Sequence, residues 1–161
     1  MSKEMTFRPM RRFKQQLQDE ECVEILKAAY RGFLSFVGEN GYPYTIPINF
    51  VYEDGHIYFH SAQQGHKMDA IKECNKACFT VINEPVQELD DWWYHVKSVI
   101  CRGRISVIED DAEHLFKLQL LGSKYFPEGY DMAGDIRRNG SRTAILDLRI
   151  EHMSGKRVKE N

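Results

Sequence analysis

Two turn signals constrain this chain more than any other feature. Asn40-Gly41 and Asp54-Gly55 separate three segments rich in β-branched and aromatic residues, Phe33 to Val37, Tyr44 to Tyr52 and His56 to Ser61. Asn-Gly and Asp-Gly supply the positive backbone φ that tight hairpins demand, so the spacing predicts three antiparallel strands in a meander. In the second strand Tyr44, Ile46, Ile48, Phe50 and Tyr52 share one face, and Thr45, Pro47, Asn49 and Val51 share the other. Pro47 breaks the pattern. Proline cannot donate to a ladder, so its mid-strand place predicts a sheet edge, a bulge, or a position where something other than a strand lies alongside.

Around this meander the periodicity changes repeatedly. After a basic arm (Arg8, Arg11, Arg12, Lys14), Asp19 is an expected N-cap, and Cys22, Ile25, Leu26 and Ala29 form a helical stripe that Gly32 is expected to close. Gly65 to Glu73 reads as a short helix, Ala77 to Ile82 as a strand, and the segment with Pro85 as a loop. Val96 to Cys101 and Arg104 to Ile108 flank Arg102-Gly103, where a glycine predicts a bulge that bends a strand round a barrel corner. Asp110 to Glu113 can cap a second principal helix carrying Leu115, Leu118 and Leu121 and ending at Gly122. Ser123 to Gly140 reads as loop with a helical turn, and Thr143 to Ile150 as a last strand. The order predicts a mainly β fold: an antiparallel barrel, closed or half-closed, of six to seven strands with flanking helices.

Composition limits the function classes. A chain of 161 residues, 42% hydrophobic and 29% charged, describes a single domain over 1–161, with residues 1–9 expected as a flexible arm. A net charge of -2 gives no overall field for nucleic acid, and no apolar run is long enough to span a bilayer or to act as a signal peptide. A cytoplasmic protein is expected. Cys22, Cys74, Cys78 and Cys101 lack paired zinc-site spacing and read as buried thiols, so no metal is expected. Neither GxGxxG, GxxxxGK[ST] nor GxSxG occurs in a supporting context.

The chemistry-bearing candidate is the run from His60 to Lys67, which passes from a strand end through a small-residue loop into a helix start. Free amides at a helix N-terminus, the Ser61 hydroxyl, the Lys67 cation and Gly65, with His66 as a second donor, make a phosphate cradle; a solvated loop with a lysine on a helix face has the same spacing. His60 alternates with Tyr58 and His56, opposite Ile57 and Phe59, which places it at a cleft or in a structural hydrogen bond. Trp92, Trp93 and Tyr94 are expected in the core, at a subunit contact or against a planar ligand.

In order along the chain, Gly41 to Tyr52, Ile57 to Ala62 with Gly65 to Lys67, Ser98 to Ile105 and Ile150 to Lys156 resemble the FMN-binding split barrels of the pyridoxamine-5′-phosphate oxidase-like superfamily, most closely its Nim-type nitroimidazole-resistance proteins. The resemblance covers Met10 to Arg157. It implies a split β-barrel and a homodimer with FMN at the interface. The phosphate would lie at Ser61, His66 and Lys67, the isoalloxazine along Thr45, Ile46, Pro47, Ile48 and Asn49, and Ser98 would approach from the partner. It places His60 beside flavin and substrate, as the candidate catalytic residue. The implied activity is flavin-dependent reduction of a nitro-aromatic or similar small acceptor, with the reactivity supplied by the flavin. Thr45 and His66 stand where the parent oxidases have arginines, which argues against pyridoxamine phosphate oxidation. The alternatives are a flavin- or haem-binding module without turnover, and a cofactor-free homodimer.

Overall fold

The computed structural model of the chain describes residues 6–87, 89–90 and 92–159. Both turn signals form hairpins. Strand β1 (Gly32–Val37) pairs with β2 (Pro43–Ile48) across a loop in which Asn40 and Gly41 take φ of 57° and 76°. Strand β3 (Val51–Glu53) pairs with β4 (His56–Ala62) around Asp54 and Gly55, at 46° and 82°. Two central residues at positive φ match the right-handed twist of the strands they join.

The expected continuous strand from Tyr44 to Tyr52 is broken. It stops at Ile48 and resumes at Val51, leaving Asn49 and Phe50 in neither strand. The remaining strands are β5 (Lys76–Ile82), β6 (Val86–Gln87), β7 (Tyr94–Val107) and β8 (Thr143–Lys159). All pairings are antiparallel, in the order β2-β1-β5-β7-β8-β4-β3, with β6 added on β7. The strands at the two ends of that order are the halves of one chain segment. The sheet therefore curls until its ends meet, joined by backbone and not by a ladder, which is a split barrel. It has eight strands, against the six to seven expected. The broken strand and β6 each add one, while the two segments flanking Arg102-Gly103 merge into β7.

The barrel interior is aromatic at its centre, with Phe50 and Phe59 each edge-on to Phe79 at 4.6 and 5.2 Å. Helix α1 (Asp19–Ala28) sends Cys22 and Leu26 into this core, and α2 (His66–Glu73) sends Met68, Ala70 and Ile71. A second cluster, with Tyr58, Val51, Ile145 and Leu121, lies on the outer face of the sheet beneath α3 (Asp111–Tyr125). Among the described residues no helix covers the opposite outer face, where Phe33, Val37 and Ile82 are about half exposed.

Several local expectations are corrected. Gln18, not Asp19, is the N-cap of α1, and Asp19 is its first helical residue. Gly32 opens β1 instead of closing α1, which ends at Ala28 with Ala29 already extended; the glycine is required because a Cβ there would lie 2.3 Å from the Phe79 ring. The register does shift at Arg102/Gly103, but the extra residue is Glu151 on β8; a Cβ on Gly103 would lie 1.9 Å from the Arg149 carbonyl oxygen. Helix α3 is capped by the Asp110 carboxylate on the Glu113 amide (2.8 Å), and runs through Gly122 to Tyr125. Within the expected loop lies α4 (Met132–Asn139), and β8 continues to Lys159 because β7 runs beside it throughout. Trp92 stacks on Trp93 with its own ring 72% exposed, so it is not in the core.

Of the cysteines, Cys22 and Cys101 are buried, their thiols pushed up to about 11 and about 12 by desolvation, while Cys74 and Cys78 are half-buried; all four are free. Among the described residues there is no metal-binding cluster and no helix long and apolar enough to cross a membrane. Of the expected arm, residues 1–5 lie outside the described residues, and Phe7 stacks on His152 at 4.4 Å.

The split itself is patched by a side chain. Tyr125 accepts the Phe50 N–H at 2.8 Å, and its single hydroxyl proton goes to the carbonyl of Phe50 (2.8 Å) or Tyr30 (2.7 Å). Tyr125→Phe leaves that amide unsatisfied, so the chain is expected to lose about 1–3 kcal/mol of unfolding free energy in urea, with the slope unchanged. Wild-type stability in this variant would mean that water replaces the hydroxyl.

Candidate functional site

The break at Asn49 and Phe50 and the start of α2 come together on one side of the barrel. Strand β4 ends at Ala62, and Gly65, at φ 117°, turns the chain into α2 as its N-cap. The Met68 and Asp69 amides bond back to the Gly65 carbonyl at 2.9 and 3.2 Å, whereas amides at the very start of a helix have no intrahelical acceptor. They point their partial positive charge outward.

Against this helix start lies a cavity of about 410 Å³. One wall is the end of β2, from Ile46 through Pro47 and Ile48 to Asn49; the other is His60, Ser61 and Ala62 of β4, with Lys67 from the first turn of α2. Among the described residues β2 has a ladder on one side only, to β1, so Pro47 sits on an edge strand, where a missing N–H is tolerated. Arg31 completes the lining and donates to Asn49 Oδ1 at 3.0 Å. The described lining thus contains two cations and no carboxylate.

Electrostatics follow from burial. Lys67 is half-buried, and among the described residues no carboxylate pairs with it; desolvation lowers its pKa below the ordinary lysine value. The pKa of His60 is lowered first by desolvation and then by the Lys67 charge, which favours the neutral imidazole. A half-buried ammonium without a counter-ion, facing a hollow beside free helix amides, has the donor set that an anionic oxygen group requires.

The candidate residues divide into three groups. Ile46, Pro47, Ile48, Asn49, His60, Ser61 and Lys67 line the cavity. The Ser61 side chain is buried, with its hydroxyl donating to the Ala62 carbonyl at 2.9 Å, so it is engaged with its own backbone. Thr45 and His66 are neighbours outside the lining: Thr45 Oγ1 bonds Ser35 Oγ at 2.8 Å, and the His66 ring lies 4.3 Å from that of Tyr44. Ser98 is on β7, opposite Ile82 and Lys156, away from the cavity. Arg31 is the residue that sequence reasoning missed. Its signal was present, because the hairpin centred on Asn40 pairs Gly32 with Ile48 and so brings residue 31 beside residue 49.

A family model described as pyridoxamine 5′-phosphate oxidase matches residues 18–157. Several solved structures share the fold. A proposed 5-nitroimidazole antibiotic resistance protein from Bacteroides thetaiotaomicron superposes with a TM-score of 0.76 at 23% identity, over 89% of this chain and 87% of that one. The flavocytochrome Anf3 from Azotobacter vinelandii gives 0.75 at 23% identity, over 95% and 75%. A FAD-binding protein from Mesorhizobium loti gives 0.67 at 22% identity, over 89% and 97%. No curated protein matches the sequence.

The site makes a prediction independent of any ligand. His60 is expected to titrate below 6.5 in an NMR titration of the imidazole nitrogens, and Lys67→Met is expected to move its midpoint upward without restoring it fully, since desolvation is the larger cause. A midpoint at or above 6.5 in the wild type would contradict the lowering by desolvation and by Lys67.

Proposed function

Because this chain belongs to the pyridoxamine 5′-phosphate oxidase family, we propose that it is a cytoplasmic, FMN-dependent reductase, acting as a homodimer on a nitro-aromatic or similar small acceptor. The observation that carries the reading is Lys67: a half-buried cation without a carboxylate partner among the described residues, facing a cavity at a helix N-terminus beside the free edge of β2. These residues fit the cofactor. Lys67 and the first amides of α2 would hold the phosphate, with Ser61 joining on rotation of its hydroxyl. Ile46, Pro47, Ile48 and Asn49 would flank the ring, and Arg31 would stand at the far end of that strand. Bound flavin supplies reversible hydride and single-electron transfer.

The remaining work belongs to the chain. Asn49, held by Arg31, presents a fixed amide at the cavity wall, and the apolar edges of Ile46 and Ile48 exclude water. His60, whose pKa is lowered first by desolvation and then by the Lys67 charge, offers a hydrogen bond from a ring that favours its neutral form. The uncovered face bearing Phe33, Val37 and Ile82 supports the dimer, since half-exposed apolar side chains on a sheet face favour a partner surface. The structural neighbours support flavin chemistry in general: Anf3 is a flavocytochrome and the Mesorhizobium protein binds FAD.

The decisive experiment is a comparison of FMN, FAD and riboflavin binding by the wild type and Lys67→Ala, followed by flavin fluorescence. FMN affinity is expected to fall at least about tenfold in the variant, the scale of one charge-assisted hydrogen bond, while riboflavin affinity stays unchanged because it lacks the phosphate. Equal weakening of both, or of neither, would remove Lys67 from the phosphate site. Holoprotein that binds flavin yet reduces no nitro-aromatic acceptor would favour a carrier module over a reductase.

A further inference from the structure

Arg31 reaches the cradle through strand register. The Gly32↔Ile48 pairing of β1 with β2 carries residue 31 past the end of β2, where Arg31 Nε donates to Asn49 Oδ1 at 3.0 Å. That bond uses the acceptor of the Asn49 amide and leaves its Nδ2 as a donor. Among the described residues neither this group nor the Nη groups of Arg31 has a hydrogen-bond partner. Asn49 and His60 also line a second cavity, of about 270 Å³, behind His60 and beneath α3 and α4, so these two side chains form the wall between the cavities. No Lys or Arg lies among the described lining of that second cavity, and its one carboxylate, Asp135, accepts from Asn139 Nδ2 at 2.9 Å. Arg31 therefore has no carboxylate partner among the described residues on either side of the wall.

The two cations of the cradle stand apart. Lys67 enters from the first turn of α2, whose His66 ring lies 4.3 Å from that of Tyr44 near the start of β2, whereas Arg31 enters beyond the other end of that strand. Between them run the apolar edges of Ile46, Pro47 and Ile48. A phosphate at Lys67 leaves Arg31 without an anion, so the charge that complements Arg31 lies at the opposite end of the same ligand. The oxidised isoalloxazine ring is neutral there. Two electrons and one proton added to it leave one negative charge spread over N1 and the C2 carbonyl of its pyrimidine half. A guanidinium and an amide N–H hold that delocalised anion more strongly than they hold a neutral carbonyl, because charge-assisted hydrogen bonds are roughly twice as strong as neutral ones.

We propose that Arg31, with the Asn49 amide that it orients, stabilises the negative charge that reduction leaves on the pyrimidine half of the flavin, so that the chain holds reduced flavin more tightly than oxidised flavin and raises its reduction potential. A group shifts an equilibrium only through its different affinity for the two states, and here the difference is the charge. The inference rests on the flavin reading and adds to it a role that Lys67, at the phosphate, does not fill.

The test is the two-electron potential of FMN and of riboflavin bound to the full chain, measured by stepwise dithionite reduction against a reference dye. Arg31→Gln, neutral but still able to donate to Asn49, is expected to lose at least about tenfold of the preference for reduced flavin, which is a potential about 30 mV lower for a two-electron couple. The fall is expected to be equal for FMN and riboflavin, because the phosphate takes no part in it. Arg31→Lys, which keeps the charge, is expected to retain most of the wild-type potential. An unchanged potential in Arg31→Gln, an equal fall in Arg31→Lys, or a fall seen with FMN alone would overturn the proposal. Arg31→Met, also neutral, serves the same comparison if Arg31→Gln does not fold. Flavin bound with its potential indifferent to residue 31 would leave the cofactor reading standing and remove this one; a wild type that binds neither FMN nor riboflavin would remove both.

Discussion

The bonds between Tyr125 and the Phe50 backbone are the contact on which the rest of the arrangement depends. A barrel whose end strands are consecutive pieces of one segment cannot close by a ladder at the point where that segment crosses from one edge to the other. The backbone polar groups at the crossing then need partners from elsewhere. Tyr125 supplies them from the C-terminal turn of α3, and Lys124 beside it donates to the Ala29 carbonyl at 2.7 Å while lying 4.1 Å from the Phe50 ring centre. Burial of that ammonium lowers its pKa to about 8. The helix end, the split and the segment after α1 are thereby tied at one place, and Asn49, next in chain, stands where the two cavities meet.

A second anchor fixes the other end of the roof. Lys117, buried on α3, pairs with Glu53 of β3 and lies 4.3 Å from the Tyr58 ring centre on β4. Desolvation alone would lower its pKa, but the Glu53 carboxylate and Tyr58 hydroxyl outweigh it and hold the lysine above its ordinary value. A buried ion pair of this kind adds little net stability, because desolvation offsets most of the attraction; its effect is to specify where the helix sits. With α3 pinned at Lys117 and at Tyr125, the stretch between them buries Leu121 in the cluster with Val51, Tyr58 and Ile145 and, through Leu118 and Leu121, lines one side of a cavity of about 270 Å³.

The two cavities differ in sign as well as shape. The cradle gathers Lys67, Arg31 and helix amides, whereas the pocket behind His60 has apolar walls and a carboxylate at its rim. An anion in the cradle would favour the charged form of Lys67 that burial now disfavours, and its own negative charge would offset the effect of that lysine on His60. Occupation of one cavity is in this way felt at the wall of the other. The fold alone does not determine a reaction; this contrast across one shared wall is what distinguishes the chain's own chemistry.

Much of this was legible in the sequence wherever the cause is local. Asn40-Gly41 and Asp54-Gly55 specify hairpins because few other residues accept positive φ, and the period-two pattern grouped Tyr44, Ile46, Ile48, Phe50 and Tyr52 on one face, which in the structure is the one that joins or packs against the core. The same regularity concealed the break, since the alternation continues through Asn49 and Phe50 without a fault. Gly32 and Gly103 read as a helix end and a bulge, yet their real constraints are the Phe79 ring and the Arg149 carbonyl, contacts from strands distant in the chain. The sequence by itself determined the turns, the strand faces and the polar run from His60 to Lys67, because those depend on backbone preference and side-chain periodicity. Only the tertiary structure decided that Arg31 and Lys67 face one cavity, that Ser98 stands apart, and that α3 roofs a second hollow behind His60, because each depends on which surfaces meet when the sheet closes on itself.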